Sequence, residues 1–180
     1  MLIGGGVSVT KHIEAIITYL RKHPLISMCF LSAKHLALFD NLPNVRYICL
    51  TGNEGARVEK YADSLHNTDS FILSDNNNTD TYVPACAKAR TYIVSSSMQF
   101  DYADAPLALA MDLFIQISKE KTVLMVGMDG YSESKRSDIY DMMRESQTII
   151  DAYVAQYQFK SLLPTAYQHV EQSSIYAELV

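Results

Sequence analysis

Two spacings of apolar residues alternate along this chain. Short continuous apolar runs predict buried strands, and apolar positions recurring every three to four residues predict amphipathic helices. The runs place strands at residues 1–3, 25–31, 45–50, 70–73, 90–94, 122–126 and 159–163. Between the first two, Ile13, Ile16, Ile17 and Leu20 keep helical spacing, so a helix is predicted over 9–22 and closed by His23-Pro24. Residues 32–39 read as a short helical turn. Thr51 with Glu54 three residues on matches a capping box and opens a helix over 54–65. Asp104 before Ala105-Pro106 is a start signal for a helix over 107–117, apolar nearly all round and hence buried. The longest helix is predicted over 135–157, where Ile139, Met143, Ser146, Ile150 and Tyr153 form a stripe widened by Met142 and Ile149. After Pro164 the chain reads as a polar tail.

Strands alternating with helices predict an α/β fold: a three-layer, Rossmann-like, mostly parallel, doubly wound sheet with right-handed crossovers. Ligands of such sheets lie beyond the carboxyl ends of the strands. The polar strand exits at 4–8, 32–35, 51–57, 95–97, 129–131 and 165–167 therefore form a candidate rim.

The first exit is the most informative. Gly4, Gly5 and Gly6 follow directly on a strand, and Ser8 stands at the head of the next helix. Without Cβ atoms, successive N–H groups can converge on one phosphate or carboxylate, and Ser8 can cap the helix or donate to the same anion. The dinucleotide fingerprint is only half met, because Val9 occupies the third glycine position and the second strand ends without an acidic ribose partner. NAD is disfavoured, and no Gly-Lys-Ser/Thr follows to make a P-loop. Asn53, Glu54 and Arg57 leave the third strand together, with Arg57 offering a fork for an oxyanion and Asn53 a reader of base or sugar hydroxyls. Asp129, between Gly127 and Gly130, sits where a strand-end carboxylate acts as base, metal ligand or ribose partner, or merely caps a turn. Ser96, Tyr131, Thr165 and Tyr167 complete the rim.

Composition narrows the classes. The chain has 180 residues, enough for one domain with a full core, and 48% of them are hydrophobic. A formal net charge of −5 argues against a broad nucleic-acid surface. No run of about 18 apolar residues occurs, so no membrane partner is expected. Three cysteines without a C-x-x-C pair fit free thiols in a reducing cytoplasm, with Cys29 and Cys49 buried mid-strand and Cys86 in a loop. The five histidines lack zinc spacing, and the acidic loop at 75–80 lacks the glycine of a calcium loop, so no metal is expected. The opening strand is short at its start, which suggests a piece of a longer polypeptide.

Several of these strings resemble known groups. Gly4-Gly5-Gly6-Val7-Ser8 with the helix behind it resembles the G-x-G-P-S turn of bacterial sialyltransferase-like and 6-hydroxymethylpterin pyrophosphokinase-like Rossmann domains, with Val7 in place of proline. The run 105–117, the strand 123–126 and Gly127-Met128-Asp129-Gly130-Tyr131 are similar to that group's buried helix, strand and G-x-D motif. The ending 162–167 with 173–176 is similar to its last strand and exit. This resemblance implies a nucleotide diphosphate or CMP-sugar ligand, with residues 4–8 near phosphate and Asp129 near ribose or substrate. Sialyltransferases carry a catalytic histidine after G-x-D, and residues 132–136 have none, so sialyl transfer itself is not implied. More specifically, residues 4–12 with 51–57 look like the C-terminal extension of bacterial aldolases whose N-terminal TIM barrel is similar to 4-hydroxy-2-oxovalerate aldolases and HMG-CoA lyases. That implies an accessory domain spanning 1–180, with any lyase chemistry in a barrel of about 250 residues. The expected ligand is a CMP-like nucleotide or a sugar phosphate, and the expected partner an aldolase-like barrel. A free-standing nucleotide-sugar or pyrophosphate transferase, with Asp129 as catalytic base or metal ligand, and a non-catalytic module forming a homo-oligomer are the alternatives.

Overall fold

In the computed structural model, which describes residues 1–75, 81–95, 105–130 and 137–180, eight strands form a single sheet. They are β1 Leu2–Ile3, β2 Met28–Phe30, β3 Arg46–Cys49, β4 Ser70–Ser74, β5 Thr91–Val94, β6 Thr122–Val126, β7 Gln158–Ser161 and β8 Val170–Gln172. Every neighbouring pair is parallel, and the order is β5-β4-β3-β2-β1-β6-β7-β8. The helices are α1 Val7–Lys11, α2 Ile13–Lys22, α3 Glu54–Lys60, α4 Ala85–Lys88, α5 Pro106–Ile117 and α6 Ser137–Tyr153.

Strand side chains alternate between two cores, one on each face. Ile3, Phe30, Ile48 and Phe71 point to the face covered by α1, α2 and α3, where Val9, Ile16, Leu20 and Val58 are buried. Leu2, Cys29, Cys49, Ile72 and Met125 point to the other face, against Leu107, Leu109 and Met111 of α5 and Ile149, Ile150 and Tyr153 of α6. The fold is thus a three-layer, Rossmann-like α/β sandwich. Residues 107–113 of α5 are all buried, as an all-round apolar helix requires. Its one buried carboxylate, Asp112, accepts from the Tyr153 hydroxyl of α6 (3.4 Å).

The sheet's amino-terminal end holds an ion pair. Arg46 and Asp69 are both 1% exposed and meet in a two-pronged contact, Nε to Oδ1 at 2.7 Å and Nη2 to Oδ2 at 2.6 Å. Asp40, the Ser64 carbonyl and the His66 amide complete the hydrogen bonding, so neither charge is left bare.

Several expectations need correcting. The helix of 9–22 starts two residues earlier and is broken at His12 (φ −118°, ψ 20°) into α1 and α2. Leu25 is not a buried strand residue: it is 97% exposed, in the turn that precedes β2. The helix of 54–65 ends at Lys60 and gives way to a 3₁₀ turn, Ala62–Ser64. Thr51 and Glu54 form no capping box, because Asn53 is the cap residue and the Glu54 carboxylate turns to Ala33 and Arg57 instead. Cys86 lies in α4, not in a loop. The longest helix ends at Tyr153 rather than 157, and Met142 on its expected apolar stripe is 54% exposed. The polar tail contains β8, which pairs with β7 across a connection of residues 162–169 that holds no helix. Asp104, the stretch 76–80 and the side chain of Ile139 lie outside the described residues.

Candidate functional site

Strand order decides where a crevice opens. The chain runs outward from β1 to β5, then returns to pair β6 with the other side of β1. The helices after β1 join one core and α6 after β6 joins the other, so the two exits diverge. At this switch point lies a cleft of ≈ 370 Å³. The size suits a small ligand. Its floor includes Gly4, Gly5, Gly6 and Gly127, with Leu31, Leu107 and Met128 supplying apolar wall.

The glycine turn is clamped from both sides. From the β6 exit, the Val126 carbonyl accepts from Gly4 N–H and the Gly127 carbonyl from Gly6 N–H, each at 2.9 Å. Ser8 N–H donates to Asp129 Oδ2 (2.9 Å), and the Ser8 hydroxyl donates to Asp129 Oδ1. From the β2 exit, Lys34 Nζ donates to the Gly5 carbonyl (2.9 Å) and His35 Nε2 to the Gly6 carbonyl (3.0 Å). Because a carbonyl only accepts, His35 carries its proton on Nε2, and burial pushes its pKa below the ordinary value.

Two of the glycines are there for close approach. A Cβ on Gly4 would stand 2.3 Å from the Gly127 carbonyl oxygen, and one on Gly6 would stand 2.5 Å from the Asp129 carboxylate. Gly5 differs: its Cβ would meet only Ser32, at 3.6 Å. The anion that the turn accommodates is therefore the protein's own Asp129. Ser8 is not the cap residue of α1, which is Gly6; it bonds Asp129 from inside the helix.

The opposite lip is built on Glu54. It accepts from Ala33 N–H (2.9 Å), lies 3.4 Å from the Ser32 hydroxyl and pairs with Arg57, whose Nη1 also reaches Ser32 Oγ at 3.3 Å. Arg57's side chain stays 54% exposed. Glu145 and Ser146 of α6 also line the cleft.

Of the rim residues read from sequence, Gly4, Gly5, Gly6, Glu54, Arg57, Gly127, Asp129 and Tyr167 all line the cleft. Ser8, Asn53 and Thr165 do not: Asn53 is exposed, and the Thr165 hydroxyl is bonded to the Met128 carbonyl. Ser96 and Tyr131 lie outside the described residues. Sequence reasoning reaches Lys34 only as part of the rim stretch 32–35, and misses Glu145 and Ser146. Lys34 carried a signal, its place at the exit of β2, whereas Glu145 lies inside a helix that only packing aims at the cleft.

Beside the site, Cys29 and Cys49 bring their sulfurs to 3.8 Å, and the Cys29 thiol with burial pushes Cys49 well above the ordinary thiol range. Among the described residues no group of three or more His, Cys, Asp and Glu is placed to hold a metal ion, and no helix is long and apolar enough to cross a membrane. The fold and crevice define a Rossmann-like α/β protein with a switch-point cleft. No protein-family model, curated protein or solved structure matches the chain.

Proposed function

We propose that this chain is a binding domain for a small phosphorylated or nucleotide-linked metabolite, held in the switch-point cleft beside the glycine turn. The observation that carries the reading is the position of that cleft. It opens between β1 and β6, at the carboxyl ends of parallel strands, with Lys34 and Arg57 on one side. The strings at 4–12 and 51–57 support a role as accessory domain to an aldolase-like TIM barrel, with the lyase chemistry in the barrel. Three free thiols suit a cytoplasmic setting. With both Asp129 oxygens accepting from Ser8, that carboxylate serves to fix the floor of the site rather than to take a proton from substrate.

Calorimetric titration with CMP and with sugar phosphates tests the reading. Saturable heat that is lost when Arg57 is changed to Ala supports it. An absence of heat with every one of them overturns it.

A further inference from the structure

Besides its charged groups, the cleft has an apolar wall. Leu31 at the β2 exit, Leu107 in the first turn of α5 and Met128 at the β6 exit all line it, and all three belong to the core on the α5–α6 face. Pro106 extends the wall at the head of α5, and Met142 of α6 adds a second thioether that stays 54% exposed. The Met128 sulfur reaches the glycine floor, because a Cβ on Gly4 would stand 3.0 Å from it. The wall adjoins the polar groups through chain neighbours. Ser32, next to Leu31, bonds both Glu54 and Arg57, and Lys34 two residues on is held by the Gly5 carbonyl.

That wall selects the body of a ligand. Hydroxyls pressed against it exchange water for side chains that neither donate nor accept, and a hydrogen bond left unmade costs more than a made one returns. A sugar carries hydroxyls all around its ring, so it meets that penalty in any pose. A flat aromatic heterocycle has apolar faces and keeps its polar groups at the edge. Its face gains from leaving water against Leu31 and Leu107, and thioethers make favourable sulfur contacts with aromatic rings. A saturated chain would be buried too, but it lacks the sulfur contact and loses rotational freedom that a rigid ring never had. Resting on the reading that the cleft holds a phosphorylated or nucleotide-linked metabolite, we propose that the body of that ligand is a flat aromatic heterocycle. The ring lies on the wall of Leu31, Leu107 and Met128 with Met142 beside it, and is joined to a phosphate that reaches the β2–β3 exits. Nucleotide-like ligands are thereby preferred over sugar phosphates.

The probes are CMP and AMP, which join a pyrimidine or a purine to one phosphate, and ribose 5-phosphate and glucose 6-phosphate, which carry the phosphate without an aromatic ring. Calorimetry is run on the whole chain and on Met142→Ser, Met128→Gln and Arg57→Ala, with circular dichroism checking each fold. Met142 is exposed, so its variant tests the wall without opening the core; should Met128→Gln unfold, Met142→Ser alone decides. At least one nucleotide is expected to bind about tenfold more tightly than either sugar phosphate. Met142→Ser and Met128→Gln should each weaken that nucleotide several-fold and leave the sugar phosphates within about twofold. Arg57→Ala should weaken nucleotides and sugar phosphates by the same factor, because it acts on the phosphate that both carry. A sugar phosphate that binds as tightly as both nucleotides, or a nucleotide preference unchanged by the methionine variants, overturns this proposal while the metabolite reading stands. No binding of any probe to the unmodified chain overturns both.

Discussion

The contact between Ser8 and Asp129 is where structure and function can be separated most cleanly. Asp129 enters the cleft wall, yet its oxygens take the amide and the hydroxyl of one α1 residue. Hydrogen bonds to a charged group contribute about 1.5–3 kcal/mol each when buried. This carboxylate is only partly buried, so about 1–2 kcal/mol is the better expectation for losing the Ser8 hydroxyl bond in Ser8→Ala. Asp129→Asn keeps the shape but removes the charge that complements the α1 amino-terminus, which adds about 0.3–1 kcal/mol to the loss of an acceptor. Each variant should therefore cost about 1.5 kcal/mol. With a urea m-value of about 2 kcal/mol/M, the unfolding midpoint should fall by about 0.7 M. Because the two residues act as one contact, the double variant should cost less than the sum, with a coupling of about 1 kcal/mol. Urea titrations of the wild type, both single variants and the double variant complete the cycle. Additive losses, or single variants within about 0.3 kcal/mol of wild type, would refute the assignment of Asp129 as a structural anchor.

Four further outcomes follow from particular contacts. Asp69→Ala should destabilise by about 3–5 kcal/mol because it strands a buried guanidinium, while Arg46→Met with Asp69→Leu should recover most of that; equal losses in thermal melts would sink the account. Gly55→Ala should fail to fold or unfold far below wild type, since its Cβ would lie 1.9 Å from the Tyr82 carbonyl oxygen, whereas Gly5→Ala should melt close to wild type. His35 has a folded pKa below its ordinary value of 6.5, so the unfolded chain binds the extra proton first as the pH falls. Stability should be full above about pH 6.5 and decline below it, and His35→Gln should flatten that slope in urea titrations at pH 7.5 and 5.5. Cys29 pairs in register with Tyr47, two residues short of Cys49, which puts the cysteine Cα atoms about 8 Å apart. That exceeds disulfide reach, so mild oxidation should leave the chain mass unchanged by intramolecular bridging; a Cys29–Cys49 bridge in a peptide map would contradict the register.

The apolar spacing by itself determined the class of fold and most of its elements. The strand expected at 122–126 coincides with β6, and α5 begins where its proline stands and ends at Ile117. Such elements are legible because burial on both faces demands an unbroken apolar run, whatever the neighbouring strands happen to be. β8 was not legible, since Val170, Glu171 and Gln172 are exposed or half-exposed edge residues whose strand state comes only from pairing with β7. The site was half legible for the same reason. Local sequence marks the turn at Gly4, Gly5 and Gly6 as a place where backbone must come close to something, but not to what. Tertiary structure decided that the something is Asp129, 121 residues along the chain from Ser8, because hydrogen bonds in three dimensions follow strand order rather than sequence. It likewise brought Glu145 and Arg57 into the lining of one cleft, a meeting that no local pattern encodes.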